Sequence, residues 1–212
     1  MTLTEKNNRL KKYAAIASVF LACLLIILKL AAFFKTDSLA VFSSLVDSLT
    51  DLFASAVSFA AIYFATKPAS QSHRYGYGKS EALSALLQAV FVAASGVFVI
   101  FDGIKRVIHP VEITQTSLGI WIMLFSIFAT ALLVSYQSYV AKKTNSLAIK
   151  ADMAHYTVDF LTNSSVVISL FMIHFFGFVY FDILTALFIS CYLLYNAYQL
   201  AKESIEQITD KE

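Results

Sequence analysis

The sequence predicts an all-α fold, a six-helix transmembrane bundle with both termini in the cytoplasm. Three observations carry that prediction. Across 212 residues, hydrophobic types make up 58% and charged types only 14%, against roughly 45–50% and about 25% in soluble domains. A soluble globule of this size keeps too much of its chain near the surface to hide so much apolar area. The apolar residues also gather into six stretches, each meeting the about 20 residues that a helix needs to cross a bilayer. Finally, lysine and arginine crowd into alternate connections. The 6 glycines and 2 prolines exclude a collagen-like or low-complexity chain, and 19 phenylalanines exclude disorder. A net charge of +2, scattered along the chain, offers no surface for nucleic acid. Cys23 and Cys191 lie in apolar runs without CxxC spacing and read as small buried hydrophobes, not as a disulfide or a metal pair.

The six spans are Tyr13–Phe34, Ser38–Thr66, Ser80–Ile104, Thr116–Ala141, Ser146–Gly177 and Tyr180–Ala201. Span 1 follows Arg9, Lys11 and Lys12 like a signal peptide, but its apolar run is too long and no small-x-small cleavage site follows, so it reads as an uncleaved span. Short connections separate the others, with breakers at Lys67–Pro68 and His109–Pro110. Several spans exceed the minimum length, which permits tilt without fixing an angle. The chain thus divides into an N-terminal segment 1–12, a transport-sized membrane domain 13–201 and a short tail 202–212. One side of the membrane receives Lys6, Arg9, Lys11, Lys12, Lys67, Arg74, Lys79, Lys142, Lys143, Lys150, Lys202 and Lys211, whereas the other receives only Lys35, Lys105 and Arg106. That asymmetry places both termini and the richer loops in the cytoplasm. Lys29, near the outer end of span 1, is expected to snorkel to the headgroups.

Ionisable residues inside spans are costly, so the exceptions are informative. Span 2 carries Asp47 and Asp51, and span 5 carries His155 and Asp159, each pair four residues apart. On a helix, residues i and i+4 share a face, so each span presents a vertical pair of potential ligands. At 1.5 Å per residue all four come to the middle third of the bilayer. Each central aspartate is unfavourable by about 2.5–3.5 kcal/mol, which a bound divalent cation would offset. Three carboxylates and one imidazole suit a tetrahedral Zn²⁺ site that Fe²⁺ or Cd²⁺ can also use. Ca²⁺ would call for more oxygens, and Mg²⁺ keeps its waters. Polar glue between helices explains a single Asp or Asn better than two matched pairs. Asp152, one turn before His155, either lines an approach route for the ion or faces water. Asn163 continues the ligand face as either an outer support or a packing residue. Asp182 reads as a helix cap, Asp102 as a partner of Lys105 and Arg106, and Glu81 as an acid suited to the start of span 3.

The combination of DSLTD in span 2, HRYGYGKSEALSAL opening span 3 and KADMAHYTVD in span 5 resembles the cation diffusion facilitators, and is most similar to the bacterial zinc/ferrous-iron efflux members. The resemblance covers essentially the whole chain. It implies a homodimeric divalent-metal/proton antiporter of the bacterial inner membrane, a multi-pass protein with no permanent cofactor, whose transport site is Asp47, Asp51, His155 and Asp159. An Asp at the first position is similar to members that accept Zn²⁺, Cd²⁺ and Fe²⁺. In the loop between spans 2 and 3, family members often hold a second metal with an Asp and two His. Here Ser70 and Tyr77 replace two of these and only His73 remains, so the resemblance implies a degenerate second site. Lys79 is similar to a lysine that forms a charge lock across the dimer, with Asp210 as the candidate partner. Family members usually continue into a C-terminal cytoplasmic domain, which this chain is expected to lack.

Protons compete with metal for such a site, because only deprotonated carboxylates and neutral imidazole bind. His155, with an unperturbed pKa of about 6.5, is placed to carry the proton. The rival functions are a proton-independent cation channel and an intramembrane hydrolase. The hydrolase is disfavoured because both span-2 acids share one helix face and no HExxH motif occurs.

Overall fold

The computed structural model describes residues 3–36, 39–67, 76–108, 117–176 and 181–210. These form α1 (Leu3–Thr36), α2 (Leu39–Ala65), α3 (Lys79–Ile108), α4 (Ser117–Thr144), α5 (Leu147–Phe176) and α6 (Phe181–Ile208), with no strand among the described residues. Each predicted span coincides with one helix. The helices at the chain's two ends run further than the spans require: α1 takes in most of segment 1–12, and α6 takes in most of the tail. Among the described residues, four helical segments, Thr4–Lys35, Asp47–Ala65, Lys79–Phe101 and Trp121–Thr144, are long and apolar enough to cross a membrane by length and composition. In α5 the apolar run is broken by Lys150, Asp152 and Asp159.

Side chains are sorted the reverse of a soluble bundle. Large apolar groups such as Phe20, Phe34, Phe98, Trp121, Phe128 and Phe188 point outward, and each is more than 60% exposed. The interior is built from small residues. Ala14 and Ala15 of α1 meet Ile62 of α2, Val140 and Ala141 of α4, and Ala148 and Ile149 of α5. Ala82, Ala85 and Ala89 of α3 pack on Leu147 and Ala151 of α5 and Leu200 of α6. Between helices surrounded by lipid there is no hydrophobic gain from association, so close backbone approach and buried hydrogen bonds must hold them, and small residues allow both. This sorting makes the chain a multi-pass membrane protein. The two cysteines depart from expectation: Cys191 is exposed and Cys23 only partly buried, because both fall on outward-turned faces of their helices.

The helices sort by contact into a group α1, α2, α4 and α5 and a closely packed pair α3 and α6, with α5 touching both. A Cβ added to Gly96 of α3 would lie 3.3 Å from Leu193 Cβ and 3.3 Å from Leu194 Cγ of α6, which shows how near the two backbones come. The junction between α4 and α5 is tight. Asn145 adopts a left-handed φ of 50° and its N–H donates to Ala141 O at 2.8 Å, a C-terminal cap that asparagine tolerates better than most side chains. Ser146 then caps α5, accepting from Ile149 N at 3.4 Å.

A buried polar clamp ties the four-helix group together. Asp152 of α5 is wholly buried. It accepts hydrogen bonds from Gln137 Nε2 of α4 at 2.6 Å and from Ser55 Oγ of α2 at 3.2 Å. Ser55 Oγ also meets Tyr156 OH at 2.9 Å, and Tyr156 OH donates to Ser18 O of α1 at 3.0 Å. Four helices therefore converge on one polar layer.

Two substitutions test this packing. Gly96→Leu would force a branched side chain into Leu193 and Leu194 and should lower the thermal midpoint of the detergent-purified protein well below that of Gly96→Ala. Gln137→Leu should destabilise by about 1–3 kcal/mol, the cost of leaving a buried acceptor unpaired, read by denaturant or thermal unfolding in detergent.

Candidate metal centre

Two helices supply the centre. On α2, Ser48, Asp51, Ser55 and Ser58 are all buried, and their spacing of three and four residues lays them along one face. On α5, Asp152, His155 and Asp159 follow the same rule. Because α2 and α5 pack against each other, the two polar stripes meet inside the bundle.

Within that seam Asp51, His155 and Asp159 come together, each offering one ligand atom, with all such atoms within 4.8 Å of one another. His155 Nε2 lies 3.1 Å from Asp51 Oδ1. Asp159 Oδ2 is buried and has no hydrogen-bond partner among the described residues. An unpaired carboxylate oxygen in an apolar interior is costly, and its position beside a second carboxylate and an imidazole is what a cation would satisfy. In a tetrahedral zinc site with bonds of roughly 2.0–2.2 Å, ligand atoms stand about 3.4 Å apart. The observed spread reaches that by small side-chain rotations.

Asp47, expected as the fourth ligand, lies one turn from Asp51 on α2. It is exposed and stands outside the three-residue group. Asp152 neither faces water nor is open to an approaching ion, since its carboxylate is enclosed in the polar clamp. Asn163, one turn beyond Asp159, is half-buried and also outside the group. His73 lies outside the described residues, as do the side chains of Asp102 and Asp182.

Lys29 corrects an expectation. It does not reach outward to headgroups: it is only 8% exposed, and its Nζ donates to Ser48 Oγ at 2.7 Å. Depth along a helix can be counted from sequence, but the direction in which the side chain leaves the helix depends on which neighbour packs there. The polar stripe on α2 could have revealed this partner, because Ser48 sits between the two acids.

Lys79 and Asp210 do pair, at 2.7 Å, but within one chain, where Lys79 Nζ also donates to Ile208 O at 2.9 Å. The lysine thereby caps the end of α6. Glu81, expected merely to suit a helix start, instead joins three helices. It pairs with Lys11 of α1 at 2.8 Å and accepts a hydrogen bond from Ser146 at the head of α5.

Comparison with known proteins identifies the family. A family model described as the cation efflux transmembrane domain matches residues 15–209. A cation-efflux pump FieF of Yersinia enterocolitica serotype O:8 / biotype 1B is 37% identical over 203 residues, covering 96% of this chain and 67% of that protein. The protein of the same name from Serratia proteamaculans is 36% identical over 203 residues, with 96% and 67% covered. That of Yersinia pestis (strain Pestoides F) is 37% identical over 200 residues, with 94% and 66% covered. The chain thus spans about two thirds of the length of these relatives. With the match running through all six helices, the chain belongs to the cation efflux family of membrane transporters.

Proposed function

We propose that this protein moves divalent metal cations out of the cytoplasm in exchange for protons, with Zn²⁺ as the favoured cargo and Fe²⁺ or Cd²⁺ as alternatives. One observation carries the reading: a buried imidazole and two buried-side carboxylates, from two different helices, point ligand atoms at a common volume. The mixed nitrogen and oxygen donors fit zinc and ferrous iron better than calcium or magnesium. Asp47 completes the set as fourth ligand when its turn of α2 swings toward the centre. Its exposed position makes it the natural first contact for an arriving ion, while Asp51, His155 and Asp159 receive it deeper inside.

Exchange follows from the ligands themselves. A carboxylate or imidazole that holds a proton does not bind metal, so the two cations compete for one set of lone pairs. Metal entering from the cytoplasm releases protons, and protons entering from outside release metal. Both termini are placed in the cytoplasm by the distribution of lysine and arginine, in a bacterial inner membrane. The working unit is proposed to be a homodimer.

In liposomes, Asp51→Ala or Asp159→Ala should reduce pH-gradient-driven Zn²⁺ flux to that of protein-free vesicles; near-normal flux in both would remove the site from the mechanism. Purified protein in weak buffer should release protons on Zn²⁺ addition, and the apparent affinity should fall as pH is lowered, because protonated ligands are lost to the metal. A proton-independent channel would instead give flux that ignores the imposed pH gradient.

A further inference from the structure

The buried lysine beside the centre has no part in the exchange just described, yet its placement is specific. Lys29 extends from α1 to hydrogen-bond Ser48 Oγ at 2.7 Å. Ser48 is fully buried and lies on α2 between Asp47 and Asp51. The ammonium is within electrostatic reach of Asp51, Asp159 and Asp47. Methionine has an unbranched side chain of similar length, so packing alone does not demand a charge at this depth. An ammonium inside a bundle is tolerated where carboxylates face it.

We propose that Lys29 is a built-in counter-cation of the metal centre, a positioning residue that sets how tightly the cargo is held. The inference rests on the metal-centre reading above. Formal charge explains why one lysine is the right complement. With Asp47 engaged as the proposed fourth ligand, three carboxylates and Lys29 sum to −2, the charge that a single divalent cation cancels, so the loaded centre is neutral inside an apolar bundle. Without Lys29 the same loaded centre would keep a charge of −1. The fixed ammonium also repels the bound ion, and that repulsion is strong where water is excluded. Binding is therefore weaker than three bare carboxylates would give, and the ion can leave. A transport site needs that balance, since an ion held too tightly is not passed on.

The test uses the full chain, purified for Zn²⁺ competition against a fluorescent chelator at pH 7.5 and reconstituted for flux. In Lys29→Met, Zn²⁺ should bind about tenfold tighter or more once the Coulomb repulsion is gone. The half-saturating concentration for flux should fall and the maximal rate should fall with it. Lys29→Arg keeps the charge and should restore both values. Ser48→Ala removes the hydrogen bond but not the charge and should bind Zn²⁺ like the wild type. Should Lys29→Met fail to fold, Lys29→Gln is read in the same way, as its amide can still reach Ser48.

Equal or weaker binding in Lys29→Met and Lys29→Gln, or a Ser48→Ala variant that mimics them, would overturn the counter-cation role. The two readings separate cleanly. Wild type that binds no Zn²⁺ overturns the centre and this proposal together. Wild type that binds, with Asp51→Ala that does not, keeps the centre and leaves the Lys29 variants to decide the counter-cation alone.

Discussion

Carboxylates placed inside an apolar bundle must be compensated, and that requirement organises the structure. Asp51, Asp159 and Asp152 all lie on the inner faces of α2 and α5. In a medium from which water is excluded, each needs hydrogen bonds or a cation within contact distance. The two depths are met differently. Asp152 is supplied by neutral donors, Gln137 and Ser55, so its carboxylate is paired without any ion. Asp51 has His155 and Asp159 keeps an unpaired oxygen, so the next layer is unfinished. About two turns of α5 separate Asp152 from Asp159, and the two differ in how many donors the neighbouring helices bring.

The small residues that line the interfaces follow from the same requirement. Hydrogen bonds from Gln137 of α4 and Ser55 of α2 reach Asp152 only if three backbones stand close together, and Ala141, Ala148 and Ala151 at the adjoining contacts let them. A larger side chain would have to be accommodated by separation, and separation would strand the buried acid. Serine serves both needs, being nearly as small as alanine while supplying a hydroxyl. Ser18, Ser48, Ser55 and Ser58, on α1 and α2, are all completely buried. Interior polarity and close packing are therefore one design feature in this bundle.

Much of this was legible in the sequence, for definable reasons. Helix number and limits follow from the length of apolar runs, which the bilayer thickness fixes, so all six spans were found. The grouping of Asp51, His155 and Asp159 was legible because i, i+4 spacing converts directly to a shared face. What was not legible is azimuth and partnership. Asp47 obeys the same spacing as Asp51, yet four residues advance a helix by slightly more than a full turn, enough at the edge of an interface to leave one acid exposed and the other buried. Lys29 read as a headgroup anchor because its depth was countable but its direction was not. The partners of Asp152 come from α2 and α4, and no local pattern links residues so far apart in the chain. Glu81 shows the same limit, since its ties to Lys11 and Ser146 depend on three helix ends meeting.

Those helix ends differ in strength from the interior, and the difference says where the bundle is firm. The pairs Lys79–Asp210 and Lys150–Glu203 join α6 to α3 and α5, but they are well exposed, and exposed pairs contribute about 0–1 kcal/mol each. Lys11–Glu81 is more enclosed and has Ser146 as a second support, so polar contacts tie α1, α3 and α5 at that end, whereas α6 is held there mainly by the apolar packing of Leu200, Ala201 and Ile208 on α3 and α5. The Asp152 layer is stronger still, because undoing it would expose a buried acid to the bilayer with nothing to replace its donors. A force that displaces α6 at this end breaks apolar packing on α3 and α5 together with two ion pairs, whereas one that separates α1, α2, α4 and α5 must break the polar clamp. The candidate metal centre draws its residues from α2 and α5, both within the clamped group, which keeps them in register.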